Sequence, residues 1–172
     1  MLNIFVNTWG NYNENGADGG EWISLPMDAD ELAETLEDIA GRINDHDPEW
    51  FVNDYEWECY HIRDIGEMEC IQKLNEELEE LASLQDWEME EALAAVEAYD
   101  YSLEEAIEKQ QRGCFIFYRN MSLEDVAEDI VNECYFTKDT PDILTRYFDY
   151  EAFARDLTFD GYTETNFGVI YE

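Results

Sequence analysis

Positive charge is what this sequence lacks most. Nine lysines and arginines stand against 44 aspartates and glutamates, a formal net charge of −35. Self-repulsion opposes compact folding at that charge, so some property of the chain requires it. Such a surface excludes nucleic acid and anionic membranes as partners, because both would repel it. No segment approaches the roughly 20 apolar residues of a membrane span. The start, Met1-Leu2-Asn3-Ile4-Phe5, has no basic stretch and no long apolar run, so a secretion signal is not expected there. The four cysteines (Cys59, Cys70, Cys114, Cys134) form no C-x-x-C pair and read as free thiols in a reducing cytoplasm. Two histidines, no G-x-S-x-G and no phosphate-binding loop leave an enzyme little to work with. No cofactor or metal is implied.

Apolar material is not scarce. Hydrophobics are 45% and aromatics 15% of the 172 residues, too much for a disordered acidic tail. In the first third, Leu2–Trp9 reads as a strand and Gly10–Gly20 as a loop rich in Asn and Gly. Glu21–Leu25 reads as a second strand, closed by Pro26. Asp28 caps a helix whose stripe is Leu32, Leu36 and Ile39 and which Gly41 ends. Trp50–Glu58 alternates as a third strand. The middle is helical. Met68, Ile71, Leu74, Leu78 and Leu81 recur at helical steps, Trp87–Tyr99 follows with Met89, Leu93 and Val96 inward, and Ser102 opens a third helix. The last third has a strand at Cys114–Arg119 and a helix from Ser122 carrying Leu123, Val126, Ile130 and Val131. Short helices from Pro141 and over Tyr150–Leu157 follow, and Tyr162–Tyr171 reads as a closing strand. Trp22, Trp50, Trp57 and Trp87 are expected in the core or in packing between units.

The expected fold class is α+β. Three small units in series are expected: an N-terminal α/β unit at 1–63, a helical middle at 64–110 and a C-terminal α/β unit at 111–172. No flexible linker separates them, so an elongated, semi-rigid rod is expected. Their net charges are −13, −14 and −8. The charge is therefore spread along folded elements and is not a tail. On the first middle helix Glu76, Glu77, Glu79 and Glu80 lie opposite the leucines. Like pairs at that spacing are each destabilising by about 0.2–0.5 kcal/mol. A duplex carries one charge per roughly 1.7 Å, so 35 charges correspond to about 60 Å of DNA. A compact globule of this length has a radius of gyration of only about 16 Å. A rod would approach the linear charge density of a duplex, and a sphere would not.

Local motifs are weaker. Asp45, Asp47, Glu49 and Glu56 have several calcium-loop spacings, but the position that needs Gly is Trp50. Cys59, His61 and Asp64 lack a fourth zinc ligand and the usual spacing, so a buried free thiol beside a strand-end His is the better reading. Among so many acids, a catalytic pair at useful spacing arises by chance.

Three segments carry a family resemblance. They are Asn11-Tyr-Asn-Glu-Asn-Gly16 with Gly20-Glu-Trp-Ile-Ser-Leu-Pro26, then Phe51-Val-Asn-Asp-Tyr-Glu56, and Tyr147-Phe-Asp-Tyr-Glu-Ala-Phe-Ala-Arg-Asp-Leu157. Together they resemble the ArdA antirestriction proteins over the whole chain. The resemblance implies an elongated three-part protein that dimerises and mimics bent DNA in the DNA-binding site of type I restriction–modification enzymes, protecting incoming mobile DNA. It also implies a dimer contact in the C-terminal part, by position at Phe115 and Phe117. The family's acidic antirestriction segment aligns near Leu123–Tyr135, with Glu124, Asp125, Glu128, Asp129 and Glu133.

The expected function is therefore non-enzymatic, cytoplasmic and competitive with DNA. The mimicking carboxylates would be those five with Glu76, Glu77, Glu79, Glu80, Asp86, Glu88, Glu90, Glu91, Glu97 and Asp100. A homodimer is expected. The alternatives are a halophile-type solvated surface and a helical interaction module over Trp87–Lys109, neither involving DNA mimicry.

Overall fold

The computed structural model describes residues 1–44 and 46–172. The described chain divides into two compact units, Met1–Ser83 and Leu84–Glu172. Both mix helices with a three-stranded antiparallel sheet, so the class is α+β.

In the first unit the central strand is β1 (Leu2–Thr8), flanked by β2 (Glu21–Leu25) and β3 (Trp50–Trp57). Leu2 lies opposite Leu25 on one side and Trp57 on the other. Alternation puts Leu2, Ile4 and Val6 on the covered face, where all three are fully buried. The stretch expected as a loop is instead α1 (Trp9–Asn15) followed by a 3-10 turn (Gly16–Gly19). Its helix signal is short and polar. Thr8 accepts from the Asn11 amide, and the fully buried Asn11 side chain donates to the Gly19 carbonyl while accepting from Asn15. Asparagines that look like loop residues here supply the internal bonds of a tight helical turn.

The helix α2 (Ala29–Gly41) is capped by Asp28, which accepts from the amides of Asp30 and Glu31. It buries Leu32, Leu36 and Ile39, as its periodicity requires. The helix α3 (Ile71–Ser83) buries Ile71, Leu74, Leu78 and Leu81. Met68, expected as the first residue of that stripe, lies outside the helix and is 69% exposed. Buried Asn75 on α3 accepts from the Met27 amide at 2.9 Å and donates to the Met27 carbonyl at 2.8 Å. That pair ties α3 to the loop before α2 and satisfies a polar group that burial would otherwise penalise.

The second unit begins with α4 (Asp86–Tyr99) and α5 (Leu103–Gln111), the latter capped by Ser102. Five consecutive residues of α4, Glu91–Ala95, are buried. A helix buried on all sides is covered by more than one neighbour, here α5, β4 and the C-terminal hairpin. The sheet order is β4 (Ile116–Arg119), β6 (Gly168–Tyr171), β5 (Thr163–Thr165). The expected single closing strand is thus a hairpin that turns at Asn166-Phe167. Gly168, at φ 137°, is obligatory there, because a Cβ would lie 2.2 Å from the Tyr118 carbonyl oxygen. The helix α6 (Leu123–Ile130) starts with a reciprocal capping box between Ser122 and Asp125 and runs into a π-helical turn at Val131–Tyr135. After α7 (Asp142–Arg146), α8 (Tyr150–Phe159) packs on α6. Val126, Ala127, Ala154, Leu157 and Val169 form the core between them.

Two of the four tryptophans expected inside are half outside, Trp22 at 49% and Trp87 at 46% exposed. Trp22, the cross-strand partner of Phe5, lies edge-on against its ring with centres 5.6 Å apart. All four cysteines are free and exposed, so Cys59 is not a buried thiol.

Candidate functional site

The described residues contain no group of three His, Cys, Asp or Glu disposed to hold a metal ion. His61 meets Asp64 at 3.4 Å on an exposed stretch. Of the calcium-loop spacing, Asp45 lies outside the described residues, and Trp50 is the first residue of β3. A hollow of about 440 Å³ lies beside α2 and is lined by Leu36, Ala40, His46 and Trp50 among others.

Helix geometry sorts the expected carboxylates. On α3 the leucine stripe faces the core, which forces Glu76, Glu79 and Glu80 outward, and all three are exposed. Glu77 sits at the edge of the stripe, half-buried, and pairs with Arg63 at 3.5 Å and Lys73 at 3.4 Å. Arg63 also holds Glu69 at 2.9 Å, and that guanidinium draws the Glu69 carboxyl below its usual range.

On α4 most of the acids serve the fold. Glu88 accepts from the Gln85 amide and closes a capping box. Glu90 pairs with Arg119 on β4, and this hydrogen-bonded contact lowers its pKa. Glu97 accepts from the Asn166 backbone and side-chain amides, fastening α4 to the hairpin turn. Asp100 terminates the helix in the left-handed conformation at φ 57°. Asp86 is exposed in the first turn, where a carboxylate complements the helix dipole.

Glu91 departs furthest from expectation. It is 7% exposed and accepts from Gln110 Nε2 at 3.1 Å, with burial raising its pKa. A buried carboxyl presents no charge to a partner, so Glu91 is not part of a surface. Its position on the helix looked solvent-facing only while α5 was not yet packed against it.

On α6 and the π-helical turn Glu124, Asp125, Glu128, Asp129 and Glu133 are all exposed. Val126, Ala127 and Val131 take the inward positions, so the acids are left for the outer face. Asp125 also closes its capping box with Ser122, whose donors depress its pKa. Of the acids expected to mimic DNA, those left on outer faces thus lie mainly on α3 and α6. The helix α2 carries a comparable row outside the expected set, Asp30, Glu31, Glu34 and Glu37, which face outward as the spacing around Leu32, Leu36 and Ile39 dictates.

Phe115 precedes β4, is 8% exposed and stacks on Tyr99 with ring centres 6.1 Å apart. Phe117 is half-buried beside Ile170. The strand's exposed apolar residue is Ile116, at 51%. Phe115 is thus packed within its own unit.

Cations are mostly engaged. Arg42 bonds Glu21 and Asp38, Lys109 bonds Glu172, and Arg112 bonds Glu108. With Arg63, Lys73 and Arg119, six of the nine basic residues are in ion pairs among the described residues. They leave most of the 44 carboxylates uncompensated, with net charges of −19 on Met1–Ser83 and −16 on Leu84–Glu172. Among the described residues, no helix is long and apolar enough to cross a membrane.

No curated protein matches this chain closely enough to report. The family model for antirestriction protein (ArdA) matches residues 4–171, nearly the entire length, and the chain therefore belongs to that family.

Proposed function

We propose that this ArdA protein acts as a DNA mimic, occupying the DNA-binding site of type I restriction–modification enzymes in competition with DNA. Membership of the family supports an antirestriction role, a restriction–modification enzyme as partner and an inhibitory rather than catalytic activity. What supports mimicry in particular is the exposed acid on rigid elements. Glu76, Glu79 and Glu80 on α3 and Glu124, Glu128, Asp129 and Glu133 on α6 stand outward because the opposite helix faces are committed to the core. Carboxylates fixed in that way can satisfy the lysines and arginines of a duplex-binding groove without the ordering cost of a disordered tail.

The three-part division at 1–63, 64–110 and 111–172 belongs to this proposal as a partition of charge along a rod, and small-angle scattering measures whether the molecule is extended. A homodimer and a cytoplasmic site of action belong to it as well. Individual contacts are weak and shared, so single Glu→Gln changes are expected to do little.

The test is displacement. A type I restriction enzyme bound to a labelled target duplex is titrated with the protein over a salt series. Duplex release and loss of cutting are expected, with apparent affinity falling as salt rises. Unimpeded binding and cutting with excess protein at low salt would refute mimicry. Melting at low salt separates the halophile reading, since a surface adapted to high salt unfolds there and a mimic stays folded.

A further inference from the structure

The sheet of the first unit has a covered face and an open one. Leu2, Ile4 and Val6 of β1 point into the core, so Asn3 and Phe5 point the other way. Residues directly opposite in an antiparallel pair share a face. Phe5 lies between Trp22 on β2 and Asp54 on β3, and Asn3 lies between Ser24 and Glu56. Two cross-strand rows therefore cross the open face. Trp22, Ser24, Asp54 and Glu56 are exposed, while Phe5 and Asn3 are half-buried.

Both rows are fixed by their neighbours. The Trp22 and Phe5 rings meet edge-on at 5.6 Å, and Ser24 Oγ donates to Asn3 Oδ1 at 2.6 Å. Gly20 leaves room for the Phe5 ring, since a Cβ there would lie 2.5 Å from the ring's Cε1. Asp54 Oδ1 accepts from the Tyr55 amide at 2.9 Å, which leaves the second carboxylate oxygen for another donor. Among the described residues neither Asp54 nor Glu56 is in an ion pair. Glu58, just beyond the strand, already holds the Met1 ammonium at 2.6 Å.

We propose that this face receives an arginine side chain of the restriction–modification enzyme, stacked on the Trp22 and Phe5 rings and paired with Asp54 or Glu56. The inference rests on that enzyme being the partner and adds a contact that rows of carboxylates alone do not make. Neighbouring strands lie about 4.8 Å apart, so a planar group over Phe5 has the rings on one side and a carboxylate on the other. A guanidinium fits that span, because its face stacks on an aromatic ring while its edge donates two parallel bonds to a carboxylate. An ammonium is a point charge with neither the plane nor the fork. Charge decides among other occupants. A chain of net −35 attracts basic segments, and a second copy or a nucleic acid would bring anions to Asp54 and Glu56.

Titration of the full chain with two labelled peptides of equal charge, one of arginines and one of lysines, tests the face. The readout is the ratio of the two dissociation constants, in which general attraction to an acidic protein cancels. The wild type is expected to prefer the arginine peptide. Trp22→Ala is expected to reduce that preference by about 5-fold. Asp54→Asn with Glu56→Gln, both exposed and nearly isosteric, is expected to reduce it by about 3-fold and keeps the test decisive if Trp22→Ala does not fold. Trp87→Ala, at a tryptophan exposed to a similar degree, is expected to leave it unchanged. Equal affinity for the two peptides, an undiminished preference in either folded variant, or the same loss in Trp87→Ala overturns the proposal. Displacement of DNA from the restriction enzyme is read in parallel. Trp22→Ala is expected to weaken displacement at every salt concentration with an unchanged salt slope, because a ring contact releases no counterions. A Trp22→Ala protein that displaces DNA as well as the wild type removes the enzyme from this face and overturns the inference. A wild type that displaces no DNA but keeps its arginine preference refutes mimicry and not the face.

Discussion

Replacing Glu91 by Gln should stabilise the protein at neutral pH without weakening inhibition. Glu91 is 7% exposed and accepts from Gln110 Nε2 at 3.1 Å, and among the described residues no cation pairs with it. Glutamine keeps an oxygen for that bond and removes the buried charge. Leaving a buried polar group poorly compensated costs about 1–3 kcal/mol, more for a charge, so a gain of about 1 kcal/mol is a conservative expectation. For a unit of this size, that raises the melting temperature by roughly 4–8 °C. The sign with pH follows from linkage. Burial raises the folded pKa of Glu91 above its unfolded value, so the folded state binds the proton more tightly. Wild-type stability therefore falls as pH rises through the interval between the two pKa values, and the penalty is complete above the folded one. Melting of wild type and Glu91→Gln from acid to neutral pH measures this as a difference, in which the many other titrating carboxylates cancel. The gap should be largest at neutral pH and close below the ordinary carboxylate range. A variant that is less stable at neutral pH, or a gap independent of pH, refutes the account of Glu91 as a desolvated acid. A large loss of DNA displacement would show that it acts at the surface after all.

Three further outcomes are expected. Changing Glu76, Glu79 and Glu80 together to Gln should weaken displacement of DNA and flatten its salt dependence. The same change should not lower the melting temperature, since like-charge pairs at helical spacing are relieved. Arg119→Ala removes the tie from β4 to Glu90 and should destabilise the protein by about 0.5–1 kcal/mol, a modest figure because Arg119 is 44% exposed. Glu90 has a depressed folded pKa, so that contribution is present above the unfolded carboxylate pKa and is lost as pH falls through the folded one. Chemical denaturation of both proteins across that interval should converge at its acid end. Asn11→Ala removes one of two donors to the buried Gly19 carbonyl, which keeps Arg42 Nη1 at 3.2 Å, and should cost about 0.5–1.5 kcal/mol in a urea midpoint measurement, with no change in net charge.

What the sequence by itself determined is whatever depends on near neighbours in the chain. The strands β1, β2 and β3 follow from alternation, and α2, α5 and α6 follow from caps at Asp28, Ser102 and Ser122 with apolar stripes behind them. The acid ridge of α3 follows from the same arithmetic, because a leucine stripe fixes the opposite face as outward. Family membership was also legible, through three segments later matched over residues 4–171. Only tertiary structure decided which carboxylates remain available. Glu91 became internal when α5 packed on α4, Glu90 and Glu97 were taken up by β4 and the hairpin turn, and Phe115 went into its own core against Tyr99. Their partners lie roughly 16 to 70 residues away in sequence, beyond any helical or strand period. The opening deficit of positive charge is refined in the same way. Among the described residues, six of the nine basic side chains are already in ion pairs within the protein.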